Sequence, residues 1–124
     1  MRSKNYKGKC MKKKLRKSAE IVKLYDKIQI TYADILEKDE DIKEIFVNYY
    51  LQDFSEGEYT TDFVCIRENG DYLVRECVYR KKLLLPKTCR LLDASRQYWL
   101  KRGVVDWGIV VEKEKNEQER FIQE

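Results

Sequence analysis

The sequence predicts an α/β (α+β) fold. Its elements follow the order αβββαβ and form a small mixed β-sheet flanked by helices. Three observations predict this fold: helix-spaced apolar residues after a basic start, two strand-like runs around an Asn-Gly pair, and a second helix that leads into an apolar strand. A chain of 124 residues suits one domain, and its 43% hydrophobic and 39% charged residues are typical of a packed globule with a wet surface.

The N-terminal residues 1–17 are predicted to form a basic arm. Met1 to Lys17 carries nine Lys or Arg residues and no acid, so its order is expected to depend on a partner, although a solvated tail would have the same composition. From Ser18 to Leu36, apolar residues recur every three or four positions, which predicts an amphipathic helix with Ser18 as its cap. The apolar positions are Ile21, Leu24, Tyr25, Ile28, Tyr32, Ile35 and Leu36.

Three strands are predicted next, the last two as a hairpin. Apolar residues alternate with more polar ones from Ile45 to Leu51, and the hairpin strands run near Thr60 to Arg67 and Asp71 to Val78. A helix from Lys87 to Arg102 follows Pro86 and is expected to bury Leu91, Leu92, Ser95, Tyr98 and Trp99.

The final strand is predicted from Val104 to Val111. Because it is reached through a helix, it should pair in parallel with an earlier strand by a right-handed crossover. The domain therefore spans residues 18–112, and residues 113–124 form a charged C-terminal tail.

The register of the hairpin decides the geometry of its two acids, and two registers are open. A two-residue Asn-Gly turn pairs Asp62 with Cys77 and sends Glu76 to the opposite face. A three-residue loop, with Gly70 left-handed, pairs Arg67 with Asp71 and sets Asp62 opposite Glu76. Opposed like charges destabilise a sheet unless a cation such as Mg²⁺ compensates them. The alternative is two solvated acids paired with nearby Arg or Lys.

Composition excludes several classes of site. The sequence has no His, and its four cysteines form no C-x-x-C pair, which excludes the usual zinc site and Ser-His or Cys-His catalysis. No apolar run approaches the length of a membrane span or resembles a signal peptide, so the expected location is cytoplasmic, with no membrane partner. The oligomeric state stays open.

Basic residues concentrate in two segments, a pattern that favours a phosphate backbone or another polyanion. An ordinary solvated surface is the alternative reading. The predicted nucleic-acid-binding residues are Lys12, Lys13, Lys14, Arg16, Lys81, Lys82, Lys87 and Arg90.

The αβββαβ order, together with the segments YADILEKDEDIKEI, YTTDFV, LVREC and RLLDASRQYWLKRGVVDWGIVVE, resembles the restriction-endonuclease-like PD-(D/E)xK nuclease fold. Within that fold the chain is most similar to the TnsA-type endonuclease subunit of heteromeric transposons, over roughly Asp26 to Glu112. The last of these segments is the most specific.

The resemblance implies a catalytic set of Asp62, Glu76 and Gln29. It also implies a Mg²⁺ or Mn²⁺ site formed by Asp62, Glu76 and the carbonyl of Cys77, for metal-assisted phosphodiester hydrolysis. Two positions depart from the family pattern: Val78 stands where Lys is expected, and Gln29 where Glu is expected.

Two functions follow from these departures. One is a TnsA-like nuclease of a mobile element that cuts DNA beside a transposase subunit. The other is an inactive nuclease-fold protein that binds DNA or a protein, either as an accessory of a mobile element or phage or as an inhibitor of a host defence enzyme. The first predicts metal-dependent cleavage, and the second predicts salt-sensitive binding without it.

Overall fold

A computed structural model of the chain describes residues 10–113. Its elements in chain order are β1 (Met11–Lys13), β2 (Val22–Leu24), α1 (Lys27–Lys38), β3 (Ile42–Tyr50), β4 (Thr60–Arg67), β5 (Tyr72–Cys77), a 3₁₀ helix (Arg80–Leu84), α2 (Pro86–Lys101) and β6 (Trp107–Val110). The predicted α+β class is confirmed.

The main sheet has four strands in the order β3-β4-β5-β6. β3, β4 and β5 are antiparallel neighbours, and β6 lies parallel to β5 after the chain crosses over through α2. The prediction of a parallel last strand is therefore confirmed. β1 and β2 form a separate two-stranded antiparallel sheet.

Two apolar cores lie on opposite faces of the main sheet. On one face, Ile28 and Leu36 of α1 pack against Phe63 of β4 and other buried residues. On the other face, Leu91 and Trp99 of α2 pack against the neighbouring β4 residue, Val64. Because successive residues of a strand point to opposite faces, the sheet separates the two helices.

The first helix begins later than the sequence predicts. Asp26 caps α1, because its side chain accepts a hydrogen bond from Gln29 N at 2.9 Å. Ser18 does not cap a helix; its hydroxyl donates to the Leu15 and Glu20 carbonyls. The prediction of a helix before Asp26 is wrong. Leu24 is buried, but it lies in the short strand β2, while Ile21 is 63% exposed.

Residues within the C-terminal part of the predicted basic arm contact the rest of the fold. β1 pairs with β2, and Leu15 is fully buried in the core beside α1. The Lys17 ammonium donates to the Leu36 carbonyl at 3.0 Å, near the C-terminal end of α1. A cation at this end of a helix pairs with a free backbone carbonyl and interacts favourably with the helix dipole. This end of the arm is therefore part of the fold; residues 1–9 of the arm and residues 114–124 of the tail lie outside the described residues.

The four cysteines are free thiols. Cys65 and Cys77 are buried, and burial raises the pKa of the Cys65 thiol to about 12, despite the opposing charge of Arg75. Cys65 is thus a core residue with little thiolate character. Within residues 10–113, no helix combines the length and apolar character that crossing a bilayer requires.

Candidate functional site

The hairpin adopts the three-residue register. Arg67 N donates to the Asp71 carbonyl at 2.8 Å, and Gly70 has φ +95°, in the left-handed region that glycine adopts without steric cost. Phe63 pairs with Arg75, which is the register of the three-residue loop. The last pair of this ladder stops one position short of Asp62 and Glu76, which contact each other through the Asp62 N–H and the Glu76 carboxylate.

The two acids bond each other's strands through their carboxylates. Asp62 N donates to Glu76 Oε1 at 3.2 Å, and Cys77 N donates to Asp62 Oδ2 at 2.7 Å. Both acid side chains are fully buried. The β4–β5 ladder ends at the pair Phe63 and Arg75. Just beyond it, side-chain oxygens accept from backbone N–H groups and so hold the open end of the hairpin together.

Asp62 is joined to α1 through Gln29. Gln29 Nε2 donates to Asp62 Oδ1 at 2.6 Å and to Asn48 Oδ1 at 2.7 Å, while Gln29 Oε1 accepts from Tyr25 N at 2.9 Å. Gln29 is fully buried. An amide both donates and accepts, so Gln29 meets all three partners in a way that a carboxylate cannot.

Glu76 is joined to α2 through hydroxyl groups. Its Oε2 accepts from Ser95 Oγ at 2.6 Å and from Thr61 Oγ1 at 3.0 Å. The indole N–H of Trp107 donates to Ser95 Oγ at 3.1 Å, and that of Trp99 donates to Thr61 Oγ1 at 3.0 Å. Because an indole only donates, it directs each hydroxyl proton toward the carboxylate.

The two carboxylates are consequently directed to opposite faces of the sheet, although the sequence predicted one shared face. The reason is a break in the alternation of β4. Thr61 bonds Trp99 on the α2 side, yet Phe63 contacts Tyr32 of α1, with ring centroids 5.6 Å apart. Regular pleating would place residues two apart on the same face.

Asn48 marks the same irregularity on β3. It lies between Val47 and Tyr49, which pair with Phe63 and Thr61, and has φ +54°, a conformation that asparagine tolerates better than most residues. Its side chain meets Gln29 on the α1 side. The correct register therefore does not bring the two carboxylates onto one face.

These residues do not fit the predicted Mg²⁺ or Mn²⁺ site. N–H and O–H donors already approach the four carboxylate oxygens of Asp62 and Glu76, and such donors stabilise buried carboxylates in place of a cation. Within residues 10–113, no group of three or more His, Cys, Asp or Glu side chains is arranged to hold a metal ion.

Val78, where the family pattern expects Lys, is buried, and its N–H donates to the Val110 carbonyl at 2.9 Å. It follows Glu76 by two positions and so lies on the α2 face. A lysine at position 78 would therefore point away from the Asp62 carboxylate.

The predicted nucleic-acid-binding residues separate into two groups. Two from the N-terminal segment contact the protein itself: Lys14 Nζ donates to the Leu15 and Ser18 carbonyls, and Arg16 donates to the Glu37 carbonyl at 2.8 Å. Lys12 and Lys13 lie on β1. The other four, Lys81, Lys82, Lys87 and Arg90, are exposed around the start of α2, and we call them the α2 basic cluster.

An ion-pair network that joins Arg67 and Arg75 of the hairpin to Asp106 was not predicted. Asp106 contacts Arg67, and Asp106 Oδ1 lies 2.9 Å from Arg75 Nη1. Burial raises the pKa of the Asp106 carboxyl, but hydrogen bonds from Arg67 and Arg75 outweigh burial and hold that pKa below its ordinary value. The network ties the segment before β6 to β4 and β5.

Sequence reasoning also missed Thr61 and Ser95 as partners of Glu76, and Asn48 as a partner of Gln29. Ser95 carried a signal, because a hydroxyl on the apolar side of a predicted helix needs a buried partner. No protein-family model matches the chain, and no curated protein matches it significantly.

Proposed function

We propose that the chain is a DNA-binding protein with a restriction-endonuclease-like core, in which Asp62 and Glu76 stabilise the fold and do not catalyse hydrolysis. By its resemblance to TnsA-type endonucleases, it belongs with the accessory proteins of mobile elements or phages. The observation that carries DNA binding is the α2 basic cluster.

The α2 basic cluster has the composition of a phosphate-binding surface. From Arg80 to Leu92 the chain carries five basic residues and no acid. Lys81, Lys82 and Lys87 are exposed and form no ion pair with another described residue, while Arg90 pairs with Glu56 at 3.2 Å. Lysines that neutralise DNA phosphates release condensed counterions, which favours binding at low salt.

The hydrogen bonds of the acids support binding without hydrolysis. Metal-assisted hydrolysis needs carboxylate oxygens that share one ion and present it to the phosphate. Asp62 is held by α1 and Cys77, and Glu76 by the hydroxyls on the α2 side. Moving either carboxylate would leave buried donors without acceptors, at a cost of about 1–3 kcal/mol for each donor.

The test is fluorescence anisotropy with a labelled DNA duplex at low salt. The double variant Lys81→Glu/Lys82→Glu should weaken binding by about tenfold or more, because two phosphate contacts become repulsive. The matched control Lys38→Glu/Lys43→Glu makes the same change of charge at exposed positions on α1 and β3 and should bind much more like the parent. Equal affinities for both variants would contradict the assignment of the surface.

The same duplex, incubated with Mg²⁺ or Mn²⁺, tests the non-hydrolytic half of the proposal. We expect no cleavage above that of a protein-free control. Cleavage by the parent that disappears in a folded Asp62→Asn variant would instead show that the acids are catalytic.

A further inference from the structure

Leu84 is an exposed apolar side chain that lies in sequence between the lysines of the α2 basic cluster. Of the large apolar side chains within residues 10–113, it is the most exposed, at 88%, and the adjacent Leu85 is 49% exposed. Both lie where the 3₁₀ helix meets α2, with Lys81 and Lys82 before them and Lys87 after them. Phosphate binding alone does not require a leucine at this position.

Hydrogen bonds hold the segment that carries Leu84 on both sides. Arg80 N donates to Glu112 Oε1 at 2.8 Å, and Arg80 Nε donates to the Glu112 carbonyl at 2.8 Å. Leu85 N donates to the Lys82 carbonyl at 3.1 Å, and Pro86 fixes the backbone at the first turn of α2. Leu84 is thus presented from a preorganised turn, which lowers the entropic cost of using it in binding.

We propose that Leu84 is a wedge that inserts between two base pairs of duplex DNA while the lysines on either side contact the flanking phosphates. This inference rests on the DNA binding proposed above and specifies how the protein contacts the duplex. Proteins that bind in the minor groove use leucine among other apolar side chains to unstack a base step and kink the duplex. The two phosphate backbones that border the groove match cations placed on both sides of an apolar tip.

Charge and shape favour DNA over a lipid surface. Peripheral membrane helices bury an apolar face that extends over several turns. Here the exposed apolar surface is short: Leu84, Leu85 and Pro86 are exposed in succession and Cys89 is exposed further along α2, but Leu83 is partly buried and the exposed Lys87 and Arg90 interrupt the apolar residues. A narrow apolar tip with cations around it suits a single opened base step.

The experiment uses the full chain and a DNA duplex of about 30 base pairs with a fluorophore at each end and a central TA step, which kinks readily. Binding of the parent should raise energy transfer between the ends. Leu84→Ala should abolish that rise and weaken binding by about tenfold, with the salt dependence unchanged. Val105→Ala truncates another exposed apolar residue, 80% exposed, and should behave as the parent.

Three other outcomes are possible, and each contradicts the wedge, DNA binding or both. Salt-sensitive binding with no change in energy transfer, and equal affinity for Leu84→Ala, would overturn the wedge and leave DNA binding intact. Absence of DNA binding by the parent would overturn both. Loss of binding to phosphatidylserine vesicles in Leu84→Ala, with DNA binding unaffected, would overturn the wedge and assign Leu84 to a lipid surface.

Discussion

Asp62 of β4 and Glu76 of β5 are joined by a hydrogen bond from Asp62 N to Glu76 Oε1, yet their carboxylates bond to helices on opposite faces of the sheet. Asp62 accepts from Gln29 of α1 at 2.6 Å, and Glu76 accepts from Ser95 of α2 at 2.6 Å. Each acid therefore links the hairpin to one helix. The pair connects both cores through the centre of the sheet.

Gln29→Glu, which introduces the residue that the nuclease pattern carries at this position, should destabilise the protein. The substitution removes the donor to Asp62 and Asn48 and sets a second carboxylate against Asp62. We expect the free energy of unfolding to fall by about 3 kcal/mol. Thr31→Glu, at an exposed position of the same helix, is the matched control and should have little effect.

The response of the Gln29→Glu variant to metal is diagnostic. Its thermal unfolding temperature should rise no more with Mg²⁺ than that of the parent. Specific recovery of stability with Mg²⁺ would show that the acids converge on an ion and would contradict the structural role assigned to them.

Glu76→Ala should cost more stability than Glu76→Gln. Removing the carboxylate leaves the hydroxyls of Ser95 and Thr61 and the Asp62 N–H without this acceptor, so we expect a loss of about 3–5 kcal/mol. Glutamine retains one acceptor oxygen and should cost about 1–2 kcal/mol.

Urea unfolding followed by tryptophan fluorescence measures these losses directly, because both tryptophans of the sequence bond to this network. Glu44→Ala removes an exposed acid from β3 and serves as the control. If Glu76→Ala unfolds at the same urea concentration as Glu44→Ala, the network does not stabilise the fold.

Asp106→Asn should lower the free energy of unfolding by an amount that depends on pH. The folded-state pKa of Asp106 is lowered, so its stabilisation is present above the unfolded pKa of about 3.9 and is lost as pH falls through the folded pKa. At pH 7 the variant should be less stable than the parent by about 1 kcal/mol, since the network is partly exposed.

Urea unfolding at a series of pH values checks the Asp106 prediction. The difference between parent and Asp106→Asn should narrow below about pH 4. The control Asp93→Asn, at an exposed position of α2, should follow the parent throughout. A difference that stays constant down to acidic pH would show that the Asp106 charge does not stabilise the fold.

The elements with strong local signals were predictable from the sequence. The Asn69-Gly70 pair located the hairpin turn but left two registers open, and the predicted helix from Lys87 to Arg102 matches α2, where Pro86 occupies the first turn and Gly103 follows with φ +85°. The start of α1 was not predictable from periodicity, because Leu24 fits both helical spacing and a short buried strand. Leu15 is buried by tertiary contacts that the lysine-rich composition around it hides.

The sequence predicted which residues lie together at the candidate site, but not the face of the sheet to which each carboxylate points. Gln29, Asp62, Glu76 and Cys77 do form one hydrogen-bonded group. The two carboxylates point to opposite faces of the sheet because the alternation of side chains along β4 breaks at Asp62. That break depends on packing across three strands and not on the spacing of residues within one strand. Sequence patterns assume regular pleating, so they place opposed residues on one face.

The most direct measurement is the DNA-binding constant of the parent over a series of salt concentrations. If the four cations of the α2 basic cluster each contact a phosphate, the logarithm of the binding constant should fall linearly with the logarithm of salt concentration, with a slope of about −3.6. In a Lys81→Ala/Lys82→Ala variant the slope should shrink in magnitude by about 2. Absence of binding at low salt, or a slope that this variant leaves unchanged, would contradict DNA binding through this surface.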